Sequence, residues 1–167
     1  MKTITSFISE KLNLNNDSKI AKRYNFAPKN RSEFSSLIDK LIKERGPNAN
    51  LNDIDTSNIA SMDFLFYGGE KSKFDGDISK WEMKNVVSME AMFYCCAFTG
   101  DHGDISNWDV SECKNFAAMF ERSGFKGNIE KWKDKIQDGA DMEGMFHACP
   151  LENKKPRWYK LSWYENI

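Results

Sequence analysis

A short opening and a two-residue closure recur four times between residues 51 and 151, and this recurrence restricts the chain to architectures that stack like upon like. The openings are Leu51-Asn52-Asp53-Ile54, Ile78-Ser79-Lys80-Trp81, Ile105-Ser106-Asn107-Trp108 and Ile129-Glu130-Lys131-Trp132. The closures are Leu65-Phe66, Met92-Phe93, Met119-Phe120 and Met145-Phe146. Ile54 to Phe66, Trp81 to Phe93 and Trp108 to Phe120 are each steps of 12, and Trp132 to Phe146 is 14. Phe93 to Phe98, Phe120 to Phe125 and Phe146 to Leu151 are steps of 5, while Phe66 to Phe74 is 8. The unit is therefore 24 residues, with insertions near Gly68-Gly69 and at Gly100-Asp101-His102-Gly103-Asp104. Core positions must face one way in every coil, whereas a corner can grow outward.

Two periods run inside each copy. Phe74, Ile78 and Trp81 follow an extended entry through Gly76, as do Phe98, Ile105 and Trp108, and Phe125, Ile129 and Trp132. Ile59, Met62, Leu65-Phe66 then repeat at steps of three and four, matched by Val86, Met89, Met92-Phe93 and by Cys113, Phe116, Met119-Phe120. That spacing puts one side of a short helix on a core. Asp55-Thr56-Ser57-Asn58 and Asp109-Val110-Ser111 supply cap-type side chains before it. The expectation is an α/β repeat solenoid of about four stacked 24-residue coils, each a short strand plus a short helix, under an N-terminal helical cap. Its core column residues are Ile54, Trp81, Trp108 and Trp132; Met89 and Phe116; Met92, Met119 and Met145; and Phe66, Phe93, Phe120 and Phe146. Truncating one such aromatic costs about 3–5 kcal/mol. Asp77, Asp104 and Asn128, before each Ile, are expected to accept turn N–H groups as a polar ladder. Their spacing matches neither an EF-hand nor a glycine-rich calcium repeat.

The ends do not repeat. Ile4, Phe7, Ile8 and Leu12 trace one amphipathic helix. Phe34, Leu37, Ile38, Leu41 and Ile42 trace a second, begun at Asn30 or Ser32 and stopped by Gly46-Pro47. Residues 1–46 thus form N-terminal helices and a cap, 47–151 the repeats, and 152–167 a C-terminal cap or tail.

Charge is unevenly laid out around a net charge of −1. Residues 1–46 carry ten Lys/Arg against five Asp/Glu, and residues 47–150 carry ten against eighteen. An acidic middle suits the steering of a basic partner, and equally the charge that a repeat surface needs for solubility. The expected contact residues are Lys22, Arg23, Lys29 and Arg31 near the start. On the coils they are Glu82, Lys84, Asp109, Glu112 and Lys133, with Trp163 and Tyr164 at the tail. No stretch approaches the ~20 apolar residues of a membrane span, and Met1 to Lys11 is too polar for a signal core. Cys95, Cys96, Cys113 and Cys149 stand at repeat positions rather than in a disulfide framework, which points to reduced thiols in a cytoplasm.

The Gly76-Asp77-Ile78-Ser79-Lys80-Trp81 and Gly103-Asp104-Ile105-Ser106-Asn107-Trp108-Asp109-Val110-Ser111 runs, with the Met-Phe closures, resemble the BspA-like leucine-rich-repeat family over roughly residues 47–160. The resemblance implies a protein-binding repeat scaffold, surface-located in some members and leaderless and bacteriophage-encoded in others. Catalytic motifs are missing from the sequence: no Cys-x-x-Cys, His-Glu-x-x-His, Walker loop or Gly-x-Gly-x-x-Gly stands in it. Cys95-Cys96 with His102 lacks zinc-ligand spacing. The expectation is a non-enzymatic intracellular protein-binding module without metal or cofactor, acting on a host protein if phage-encoded. The alternatives are an anti-CRISPR-like inhibitor of a host defence nuclease, binding the effector or its guide RNA through the basic start, and a structural virion or cell-surface protein.

Overall fold

Turns, rather than strands and helices, build each coil. In the computed structural model, which describes residues 24–159, the stretch before each closing Phe is a hydrogen-bonded turn. Leu65, Met92, Met119 and Met145 donate their N–H to Met62, Met89, Phe116 and Met142 carbonyls at 3.1–3.2 Å. The third residue of each turn is left-handed: Phe64 at φ 52°, Ala91 at 49°, Ala118 at 52° and Gly144 at 64°. A second such turn follows, closed by Cys96 onto Phe93, Ser123 onto Phe120 and Cys149 onto Phe146. Cys95, Arg122 and Ala148 hold its left-handed position. Positive φ at a third turn residue is the type II signature.

These turns aim alternate N–H groups along the stack. Met62, Phe64 and Phe66 donate to Ser88, Glu90 and Met92 at 2.9–3.0 Å. Met89, Ala91, Phe93 and Cys95 donate to Asn115, Ala117, Met119 and Glu121 at 2.8–3.0 Å. Phe116, Ala118, Phe120 and Arg122 donate to Asp141, Glu143, Met145 and His147 at 2.7–3.0 Å. Ser61, Ser88, Asn115 and Asp141 are linked in series by parallel bridges, with further bridges at Phe26–Ile54 and Asn50–Asp77.

The expected α/β solenoid of strand-plus-helix coils is therefore corrected. Among the described residues there is one α-helix, α1 (Arg31–Arg45), two 3₁₀ turns at Gly69–Lys73 and Glu130–Trp132, isolated bridges and no sheet. The reason is the left-handed residue in each turn. An α-helix cannot run through it, yet a pair of turns still brings residues three and four apart to one side. The expected helix over Ile4 to Leu12 lies outside the described residues.

Side chains stack in register behind the turns. The rings of Phe66, Phe93, Phe120 and Phe146 follow one another at 5.2, 5.6 and 5.9 Å. Phe74, Phe98 and Phe125 form a second pile at 6.2 and 6.0 Å. Each indole reaches back one coil: Trp81 Nε1 donates to Leu51 O at 2.9 Å, Trp108 to Ile78 at 3.3 Å, Trp132 to Ile105 at 3.2 Å and Trp158 to Ile129 at 3.1 Å. Trp158 thus opens a further rung rather than merely covering the last one. All of Ile54, Phe66, Trp81, Met89, Met92, Phe93, Trp108, Phe116, Met119, Phe120, Trp132, Met145 and Phe146 are buried. Gly76 has no room for a side chain, because a Cβ there would overlap the Ala49 carbonyl oxygen.

Helix α1 closes the first coil. Asn30 Oδ1 accepts the Glu33 N–H at 3.0 Å, and the Gly46 N–H ends the helix on Ile42 O. Phe34, Ile38, Leu41 and Ile42 face inward, with Phe34 edge-on to Trp81 at 5.3 Å. Arg45 grips Asp53 through two hydrogen bonds at 2.9 and 3.0 Å, and Arg31 donates to Asp63 O at 2.6 Å.

Two stability measurements follow from this architecture. Trp108→Phe leaves a smaller ring and takes one of two donors from the buried Ile78 carbonyl, which keeps the Trp81 N–H at 3.2 Å; urea denaturation should show a loss of about 1–3 kcal/mol. Ala118→Gly relieves a left-handed alanine, so the same assay should show no loss, or a gain of up to about 1 kcal/mol. The hydrogen bonds from Arg45 hold the Asp53 carboxyl below its usual range, against burial and with help from Asn25. An unfolded Asp titrates near about 4. The stabilisation is then whole above that pH and is lost as pH falls towards the depressed folded value. In thermal melts against pH, Asp53→Asn should flatten the loss between about pH 5 and 3.

Candidate interaction face

The turn ladder presents a continuous outer face on which the side chains between core positions stand in columns. One column reads Tyr67, Tyr94, Glu121, His147, and another Asp63, Glu90, Ala117, Glu143. At the α1 end this face is aromatic. Phe64 is 46% exposed and Tyr67 51% exposed, and their rings meet edge-on at 6.1 Å. Tyr94 adds its ring 5.5 Å from Tyr67. Val87, 47% exposed, is the other large apolar side chain left open among the described residues.

Carboxylates accompany these rings. Asp63 Oδ1 accepts the Glu90 N–H at 2.9 Å and the Ser88 hydroxyl. Glu90 Oε2 accepts from Asn115 Nδ2 at 3.1 Å, and Glu121 lies 3.3 Å from His147 Nδ1. Each carboxylate is thus held in place by the next coil. Small residues flatten the far half of the face at Ala117, Ala118, Gly144 and Ala148.

The contact residues expected from sequence lie elsewhere. Glu82, Lys84, Asp109, Glu112 and Lys133 are exposed on the runs that follow each Trp. Asp109 accepts the Ser111 N–H at 3.3 Å; the Ser111 hydroxyl first, then, against burial, that N–H and the Lys135 and Lys84 charges hold its carboxyl below the usual range. Lys29 is exposed, but half-buried Arg31 is committed to Asp63 O. Lys22, Arg23, Trp163 and Tyr164 lie outside the described residues. Sequence reasoning missed Phe64, Tyr67 and Tyr94. Comparison across the copies carries a signal for Phe64: its equivalents are Ala91, Ala118 and Gly144, a mixed column that no core would tolerate.

The other clusters are structural. The polar ladder is present: Asp77, Asp104 and Asn128 accept the N–H groups of Ser79, Ser106 and Glu130 at 2.8–2.9 Å. Asp75 gathers Thr99 and His102, with Thr99 Oγ1 at 2.8 Å and His102 Nδ1 at 3.4 Å. This ties the Gly100–Gly103 insertion down; both partners sit on the same carboxylate. Among the described residues no group of His, Cys, Asp and Glu is placed to hold a metal. A cavity of about 360 Å³ beside Gly103, Ser106 and Phe125 opens at the same corner. Among the described residues, no helix is long and apolar enough to cross a membrane.

The thiols separate by burial. Burial pushes Cys96 and Cys113 up to about 12, and raises Cys149 as well, while Cys95 is exposed. Iodoacetamide at neutral pH should therefore label the native protein at Cys95, and the other three only after unfolding, as read by peptide mass.

Nothing matches among the curated proteins or among the solved structures. A family model matches residues 33–158, from the first turn of α1 to the last indole of the ladder. The chain therefore belongs to the family described as "Mycoplasma protein of unknown function, DUF285".

Proposed function

We propose that this chain is a non-enzymatic protein-binding module whose turn-ladder face docks a basic segment of another protein. The observation that carries this reading is the cluster of exposed Phe64 and Tyr67 with half-buried Tyr94, beside Asp63, Glu90 and Glu121. Aromatic rings in the open favour interfaces, and a lysine or arginine can lie over a tyrosine face while pairing with a neighbouring carboxylate. The excess of eighteen Asp/Glu over ten Lys/Arg across residues 47–150 adds a long-range attraction for such a partner. Backbone bonds between coils keep the face rigid, so little ordering entropy opposes binding.

The cytoplasm is the proposed compartment. Cys96, Cys113 and Cys149 act as buried thiols, donating to the carbonyls of Phe74, Asn115 and Phe146 at 3.2–3.4 Å, a use of cysteine suited to a reducing environment.

The test is quantitative capture from cell lysate with immobilised protein, followed by titration of each recovered partner. Tyr67→Ser with Tyr94→Ser should lower affinity for a genuine partner about tenfold or more, since interface aromatics carry about 2 kcal/mol or more each. Raising salt should weaken binding further. Recovery of no saturable partner, or equal binding by the double variant, would sink the proposal.

A further inference from the structure

The N–H row that joins each coil to the next has no answer at the fourth coil. Among the described residues, the N–H groups of Met142, Gly144, Phe146 and Ala148 meet no acceptor, whereas their equivalents Phe116, Ala118, Phe120 and Arg122 are all bonded. Two grooves flank this edge. One, of about 270 Å³, is lined by Gly144, His147, Lys155 and Tyr159; the other, of about 460 Å³, by Met142, Gln137 and Trp158. Between them Tyr159 packs edge-on to Phe146 at 5.1 Å and donates its hydroxyl to Met142 O at 3.1 Å.

We propose that this edge is a second docking site, which takes a peptide segment of a partner protein by extending the backbone ladder. A row of N–H donors at every second residue is complementary to carbonyls at the same interval. Three successive interfaces inside the molecule already show that pairing, at 2.7–3.0 Å. A second copy of this chain is the poorer occupant. The opposite end is closed by α1, and the Asp63 carbonyl there is held by Arg31 at 2.6 Å. Phe146 is fully buried, so the donors open to a ligand are those of Met142, Gly144 and Ala148, residues exposed in part or in full. The site lies at the end of the stack. Its failure would leave the aromatic face, and the substitutions that test it, unaffected.

The probe is a synthetic peptide of residues 114–122, whose carbonyls at Asn115, Ala117, Met119 and Glu121 answer the second coil's row in the intact protein. Amide exchange by NMR on the full chain should show Gly144 and Ala148 exchanging fast when free and protected at least tenfold when the peptide is present. Phe116 and Ala118 should be protected in both states. Met142→Pro removes one donor that has no acceptor to lose, and should weaken peptide binding about threefold to tenfold. Tyr159→Phe keeps the ring, removes the hydroxyl's bond to Met142 O and should tighten it. An edge already protected in the free protein, protection that rises with protein concentration, or no response to the peptide in the wild type and Tyr159→Phe proteins would each overturn the proposal.

Discussion

The indole N–H that each coil lends to its predecessor is the contact on which the rest of the structure depends. Leu51, Ile78, Ile105 and Ile129 each present a carbonyl one coil back from the tryptophan that takes it. Each of these carbonyls also accepts the N–H of its own turn, from Ile54, Trp81, Trp108 and Trp132, so the indole fills the second lone pair and adds about 0.5–1.5 kcal/mol net. The bond fixes the height of one coil over the next, and the phenyl piles and backbone rows inherit that height. Insertions accordingly appear where they do not disturb it. The three residues added near Gly68 wind into the 3₁₀ turn Gly69–Lys73, and those around His102 are tied back to Asp75. The longer fourth copy begins a turn after Trp132, from which Lys135 donates to the Trp108 carbonyl at 2.7 Å.

The left-handed residues show what this stacking can carry. A non-glycine residue at positive φ costs roughly 1–2 kcal/mol, and Phe64, Ala91, Cys95, Ala118, Arg122 and Ala148 all adopt it. No such backbone would persist in an isolated turn. In the first three coils it persists because each turn directs alternate N–H groups at the next coil, and up to four bonds per interface, with about 0.5–1.5 kcal/mol net from each, offset the strain; Ala148, in the fourth coil, adopts it with the preceding His147 carbonyl held by the Arg122 N–H at 2.9 Å. Ring stacking adds about 0.5–1.5 kcal/mol per pair. The conformation is thus a collective property of neighbouring coils, and Gly144 occupies it at the one coil whose own N–H row lacks a following coil among the described residues.

This division explains what was legible in the sequence. Burial is a property of columns, so the shared steps of Ile54, Trp81, Trp108 and their Phe partners identified the residues that pack together. The α1 signals were local and complete: Asn30, the Phe34-to-Ile42 stripe and Gly46. Backbone type was not legible, because steps of three and four fit a helical turn and a pair of type II turns equally. The deciding feature, positive φ, falls on alanine, cysteine, phenylalanine and arginine, which do not announce it. Trp158 was legible in principle. Leu151 to Trp158 repeats the step of Phe74 to Trp81 and of Phe125 to Trp132. The outer face was hardest, since exposure of Phe64 and Tyr67 depends on where the turns aim them rather than on their own hydrophobicity.

The two ends of the stack differ in a way that follows from backbone polarity. In the turn rows N–H runs from the earlier coil to C=O of the later one, while Val87, Lys114 and Asp141 donate the other way, to Ala60, Val87 and Lys114; at the turns the first coil thus faces outward with carbonyls and, among the described residues, the fourth with N–H groups. Carbonyls can be met by a side chain rich in donors. Arg31 does this at Asp63 O, although burial lowers its pKa against the pull of the Asp63 carboxylate, and α1 then seals the apolar end. An N–H row calls for acceptors at fixed intervals. The segment after Cys149 returns an indole to Ile129 and a phenol to the Met142 carbonyl, both of them donors. The cover at that end therefore completes the core while, among the described residues, supplying no acceptor to the turn row, so the polarity of the turn rows gives the stack two unlike ends.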